Sequence, residues 1–145
     1  RPPRSTLFPY TTLFRSGMKE ALLRLRDAGK VLCVATSKPE PFARAIADRF
    51  GLAECFDFVG GASLDDTRTK KAAVIEYVLA SVGSPKPEQV LMVGDRRHDV
   101  EGAAAFGIDC VGVLYGYGSR EELTAAGACF LAEQPADIAD YVLGK

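Results

Sequence analysis

Val90-Leu91-Met92-Val93-Gly94-Asp95-Arg96-Arg97-His98-Asp99-Val100 is the stretch that decides the fold of this chain. Four apolar residues in a row, without alternation, have the pattern of a strand buried on both faces. The run ends in Gly-Asp, and a second carboxylate follows at Asp99, where a new helix is expected to begin. Open α/β sheets bind ligands outside the carboxyl ends of their strands. Asp95 and Asp99 are therefore expected there as paired hard-oxygen metal ligands. Carboxylates that leave room for waters and a phosphate suit Mg²⁺ better than a closed protein cage does. The segment has the character of half a phosphoryl-transfer site, and a nucleophile to complete it is hard to find elsewhere in the chain.

Outward from this segment, helical and strand patterns alternate from Gly17 to the end. Apolar spacing predicts helices over 18–28, 40–50, 70–81, 99–106, 120–126 and 135–143. Gly29, Gly51 and Gly107 act as stops. Short continuous apolar runs predict strands over 31–35, 56–59, 90–93, 110–114 and 129–131. Repeated strand–helix units of this length imply right-handed crossovers and a parallel, doubly wound α/β sheet.

Composition narrows the function classes. With 145 residues the chain suits one domain with a real core and is too short for two ordinary ones. A hydrophobic share of 48% with 26% charged residues is that of a globular protein. No apolar run approaches a membrane-spanning length, so no membrane role is expected. A net charge of −1 gives no electrostatic case for nucleic acid. Cys33, Cys55, Cys110 and Cys129 form no C-x-x-C pair. Cys33 and Cys110 lie in strand-like runs and are expected as buried free thiols, which fits a reducing, cytoplasmic setting. His98 is the only histidine, so clusters or triads built on several histidines have little support.

Residues 1–16, RPPRSTLFPYTTLFRS, hold three arginines and no acid. They lack the charged start and clean apolar core of a secretory signal. A widely used sequencing-library adapter, translated in one frame, gives TLFPYTTLFRS, which is residues 6–16, and its upstream bases continue as RPPRS. Residues 1–16 are accordingly expected to be a non-native segment, and residues 17–145 the native part. Without Arg1, Arg4 and Arg15 the formal charge moves from −1 to −4.

Three strand ends carry candidate chemistry. In Ala35-Thr36-Ser37-Lys38-Pro39, the Thr36 hydroxyl can donate to a phosphate oxygen, with Ser37 beside it and N–H groups of the next helix start adding to the cradle. Lys71, at a helix start after Asp65-Asp66-Thr67-Arg68-Thr69, can neutralise charge developing on a phosphoryl group. Asp95 and Asp99 supply the metal site. Taken singly, Thr36 and Asp99 could be helix-end residues, Asp95 a turn residue, and Lys71 a surface charge with Lys70 as competitor. Their occurrence in order, each at a strand's carboxyl end, raises the functional reading above those.

With these residues the chain resembles the haloacid dehalogenase-like hydrolases, particularly their phosphoglycolate-phosphatase-like branch. The second motif of that pattern, an apolar strand ending in Thr or Ser, is matched by VLCVATSKP. The third, a Lys opening a helix, is matched by RTKKAAVIEYVL. The fourth is matched by VGDRRHDVEGA, and GIDCVGVLYGYGSREELTAAGA also looks like this branch. The resemblance implies a Rossmann-like core and an Mg²⁺-dependent phosphatase acting on a small phosphorylated metabolite, phosphoglycolate first, through an aspartyl-phosphate. No protein partner is implied. Thr36 and Lys71 would act as catalytic residues that hold the phosphoryl oxygens, with Ser37 binding phosphate and Asp95 and Asp99 on the metal.

The first motif, Asp-x-Asp-Gly-Thr after an amino-terminal strand, has no match, since Asp65-Asp66 lacks its spacing and its Gly-Thr. The resemblance therefore implies a core lacking its first, central strand, its nucleophile and its cap, and a chain that is itself inactive. Loss of that strand would leave two unpaired edges in mid-sheet. The apolar residues 6–14 are the candidate to fill the gap, although Pro9 cannot donate to a ladder. Other readings are a response-regulator receiver, whose acidic cluster belongs after a first strand, a non-catalytic binding or decoy module, and a nucleotidase or phosphoglucomutase of the same superfamily. The genomic DNA upstream of the Gly17 codon is expected to encode Asp-x-Asp-Gly-Thr in frame. Sequencing it tests this, and a true start codon near Met18 would revive the decoy.

Overall fold

A computed structural model describes residues 5–9 and 15–145. Its six-stranded sheet consists of β1 (Ser5–Phe8), β2 (Val31–Pro39), β3 (Phe58–Ala62), β4 (Val90–Gly94), β5 (Asp109–Val113) and β6 (Phe130–Ala132). Every pairing is parallel, and the order across the sheet is β3-β2-β1-β4-β5-β6. The helices are α1 (Met18–Asp27), α2 (Glu40–Arg49), α3 (Lys71–Ser81), α4 (Arg97–Ala104), α5 (Arg120–Ala126) and α6 (Pro135–Leu143). Among the described residues no helix is long and apolar enough to cross a membrane.

Unbroken apolar strands make the sheet two-faced, because successive side chains point to opposite sides. Leu32, Val34, Leu91 and Val93 pack with Leu22 and Leu25 of α1, Ala43 of α2 and Ile138 of α6. Cys33, Ala35, Val90 and Met92 face the other way, against Val74 and Ile75 of α3, Val100 of α4 and Leu123 of α5. Three helices thus cover each face, the doubly wound arrangement anticipated from the alternation of patterns. Cys33, Cys55 and Cys110 are buried free thiols, and Cys129 is exposed and also free. Burial pushes the Cys33 thiol up to about 12, which leaves it inert at neutral pH.

Several boundaries move. β2 runs on through Pro39, and β3 includes Gly60 and Gly61, because Ala35 pairs with Gly60 and Pro39 with Ala62 across a register shift. α4 begins at Arg97, so Asp99 lies inside its first turn instead of opening it.

The central slot that loss of the family's own first strand would leave open is filled by part of the stretch expected to fill it. Ser5–Phe8 occupies that slot, with Thr6 opposite both Leu32 of β2 and Leu91 of β4. Backbone hydrogen bonds do not depend on side-chain identity, and Leu7 and Phe8 alternate into the two cores with 0% and 1% exposure. Each such burial contributes about 2 kcal/mol. β1 stops at Phe8, just before Pro9; residues 10–14 of the stretch expected to fill the gap lie outside the described residues.

The fit carries one defect. Thr6 is wholly buried among leucines, and its hydroxyl has no hydrogen-bond partner. Such a group costs about 1–3 kcal/mol relative to an apolar one of the same shape. Thr6→Val is therefore expected to stabilise the fold by about 1 kcal/mol, read as a raised urea midpoint at unchanged m-value.

Candidate functional site

The turn from β4 into α4 places the two carboxylates. Asp95 and Asp99 are 3% and 2% exposed. Asp99 Oδ2 accepts the backbone N–H of Asp95 at 3.1 Å and that of Arg96 at 3.2 Å. Its Oδ1 pairs with Lys71 Nζ at 2.9 Å. A Cβ on Gly94 would collide with the Asp99 side chain, so only glycine lets the carboxylate fold back over the strand end.

Lys71 is the first residue of α3 and also donates to the carbonyl of Ala35, at 3.2 Å. It thus spans the ends of β2 and α4. Lys70, its competitor in the sequence, is the exposed residue before the helix.

Asp95 is held from the far side of the sheet edge. Tyr117 N–H donates to its Oδ2 at 3.0 Å, and Gly118 N–H to its carbonyl at 2.9 Å. A Cβ on Gly116 would strike the Asp95 side chain and one on Gly118 its carbonyl, so this loop closes tightly around the residue. Sequence reasoning did not single these positions out. The available signal was the repeat Tyr115-Gly116-Tyr117-Gly118, two glycines spaced for close backbone approach.

Thr36 closes the third side. Its Oγ1 accepts Lys38 N–H at 3.2 Å, which leaves the hydroxyl proton to donate elsewhere. Thr36, Ser37, Lys71, Asp95 and Asp99 line one cavity of about 320 Å³, with Lys38, Arg96, His98 and Tyr117 also on its wall. The first turn of α2 is not on that wall, because β2 continues to Pro39, so the end of β2 at Ser37 and Lys38 stands where help from the helix start was expected. The residue after the central strand that looks into the cavity is Pro9.

This donor set bears on a metal. Both Asp99 oxygens are already engaged, so Asp99 stands behind Asp95 and orients the turn. Among the described residues no group of three or more His, Cys, Asp or Glu side chains is placed to hold a metal ion. Asp95 at this open cavity, with Asp99 behind it, fits an Mg²⁺ that keeps several waters and shares a phosphate oxygen. It does not fit a self-sufficient metal cage.

Comparison with known proteins identifies the family of this fold. Residues 7–107 match the haloacid dehalogenase-like hydrolase family. The chain belongs to the haloacid dehalogenase-like hydrolases. The tyrosine-protein kinase PtkA of Mycobacterium tuberculosis is 51% identical over 105 residues, 72% of this chain and 36% of that protein. A 5'-nucleotidase of Pseudomonas aeruginosa is 47% identical over 109 residues, 75% of this chain and 49% of its own. A phosphoglycolate phosphatase of Pseudomonas putida is 34% identical, over 79% of this chain and 42% of its own. A predicted phosphatase from Clostridium acetobutylicum superposes with a TM-score of 0.85 at 38% identity, covering 90% of this chain and 60% of that one. The chain thus spans between about a third and a half of the length of these curated relatives.

Within this haloacid dehalogenase-like core, the Lys71–Asp99 pair is nearly closed to water, with side chains 10% and 3% exposed. Removing one partner of such a pair leaves an uncompensated buried charge, at a cost of about 3–5 kcal/mol. Lys71→Met is expected to destabilise the chain by about 3 kcal/mol. Asp99→Asn in the same chain should recover part of that loss. A double-mutant cycle by urea unfolding measures the coupling, and additive losses would show that the two side chains do not depend on each other.

Proposed function

We propose that this chain carries the metal- and phosphate-holding side of an Mg²⁺-dependent phosphomonoesterase site, and binds a small phosphorylated metabolite without turning it over. The observation that carries this is one cavity in which Thr36, Lys71 and Asp95 converge on the end of a central strand whose next residue is Pro9.

Each group has a role that its geometry supports. The Thr36 hydroxyl donates to a phosphoryl oxygen. Lys71, fixed by Asp99 and Ala35, places a positive charge beside the negatively charged phosphoryl group. Asp95 would hold Mg²⁺, with Asp99 behind it and the remaining positions left to water and phosphate oxygens; the ion supplies charge neutralisation at the phosphoryl group. Ser37 adds a donor at the mouth.

In the pattern this chain resembles, an aspartate after the central strand attacks phosphorus as the P–O ester bond breaks and the alcohol leaves with a proton, and water then hydrolyses the aspartyl-phosphate to inorganic phosphate and the free carboxylate. Pro9 has no carboxylate, and the chain contains no acid before Glu20. We take residues 1–16 as the adapter-like segment and 17–145 as the carboxyl-terminal part of the hydrolase core. The unpartnered Thr6 hydroxyl supports this, because a strand selected for the slot would carry an apolar residue there. Phosphoglycolate is the first substrate to test, given the phosphoglycolate phosphatase relative, and a nucleoside 5'-monophosphate is the second, given the 5'-nucleotidase. The four free thiols fit a cytoplasmic setting.

The chain is expected to show no Mg²⁺-dependent phosphate release above a Lys71→Ala control, since metal and phosphate holders do not replace a nucleophile. Pro9→Asp is expected to introduce slow, Mg²⁺-dependent hydrolysis of a small phosphomonoester that Asp95→Asn abolishes. Turnover by the unmodified chain would sink the reading.

A further inference from the structure

We propose that Glu122 is the positioning residue that sets the Asp95 carboxylate at the sheet edge, acting through Arg96 and Arg97. This rests on the reading of Asp95 as the metal carboxylate.

Asp95 sits in a turn, and a turn at the end of a strand is not oriented by that strand alone. Glu122, in the first turn of α5, reaches across to the start of α4. Its Oε2 accepts Arg96 Nε at 2.9 Å and the backbone N–H of Arg97 at 2.8 Å. Arg97 is the first residue of α4, so its N–H has no partner within the helix. A carboxylate there also meets the positive end of the helix dipole.

The same stretch of chain grips Asp95 directly. Tyr117 and Gly118 hold its carboxylate and carbonyl, and Ser119 Oγ accepts the N–H of Glu122 at 3.0 Å. Gly118 is wedged between the two ends of this clamp. A Cβ there would strike the Asp95 carbonyl and lie 3.1 Å from Glu122 Oε2. Residues 117–122 thus hold residues 95–97 by four hydrogen bonds, two of which belong to Glu122.

Glu122 has a second consequence, for charge. Arg96 lies within electrostatic range of both Asp95 and Asp99. Its hydrogen bond with Glu122 holds that carboxyl below its ordinary value, so the pair is ionised at neutral pH.

The test uses the full chain and two readouts. Amide hydrogen exchange by NMR follows Arg97, Tyr117 and Gly118, and Mn²⁺ binding follows the carboxylate. Glu122→Ala is expected to lower protection at all three amides and to weaken Mn²⁺ binding by about tenfold, the equivalent of about 1.4 kcal/mol. Glu122→Gln, which keeps an acceptor without the charge, should give smaller changes and serves if the alanine variant does not fold. Glu121→Ala, at the exposed neighbour, should change neither readout. If only Arg97 loses protection while Tyr117 and Gly118 keep theirs, Glu122 merely caps α4 and the proposal fails. If the unmodified chain binds no Mn²⁺ and the exchange changes still occur, the clamp stands and the metal reading of Asp95 falls.

Discussion

The Asp99 carboxylate is the constraint on which the rest of this site depends. It lies 2% exposed at the end of a buried strand, a position that an ionised group occupies only with its oxygens satisfied. The Asp95 and Arg96 amides take one oxygen and the Lys71 ammonium the other. Each partner brings a requirement of its own. The two amides bend the chain into the turn that presents Asp95, and Gly94 must lack a side chain for that bend to close. Lys71 must come from the start of α3, which fixes how α3 packs on α4. Asp99 is therefore the internal keystone of the turn that presents Asp95, and both carboxylates line the cavity.

The centre of the sheet shows how loosely a fold can specify a strand and how tightly it specifies a catalyst. Neighbouring strands ask only for an extended backbone and two apolar faces, and Ser5–Phe8 meets the first demand fully and the second at Leu7 and Phe8. Thr6 meets it poorly, burying a hydroxyl among leucines without a partner. Chemistry asks for one atom type in one place. At the strand end, on the cavity wall, stands Pro9, which carries no carboxylate.

The relatives sharpen this separation of scaffold from activity. Proteins described as a tyrosine kinase, a 5'-nucleotidase and a phosphoglycolate phosphatase share the same segment at 34–51% identity. What this chain shares with them is the haloacid dehalogenase-like core. The part of each relative that this chain does not span leaves room for what those proteins do differently.

The sequence by itself determined the elements that depend on local pattern. Apolar runs without alternation announced β2, β4 and β5, helical spacing announced α1, α2, α3 and α6, and Thr36, Lys71, Asp95 and Asp99, singled out in the sequence, line one cavity. Periodicity is a property of neighbours in the chain, so it survives without knowledge of the fold. Tertiary structure alone decided the rest. It set the register of Ser5–Phe8 between β2 and β4, took both oxygens of Asp99, and brought Tyr117, Gly118 and Glu122 onto a turn more than twenty residues away. Those contacts exist only because β5 lies beside β4 and the loop after it crosses the strand ends. That adjacency comes from packing two apolar faces at once, which no local pattern encodes.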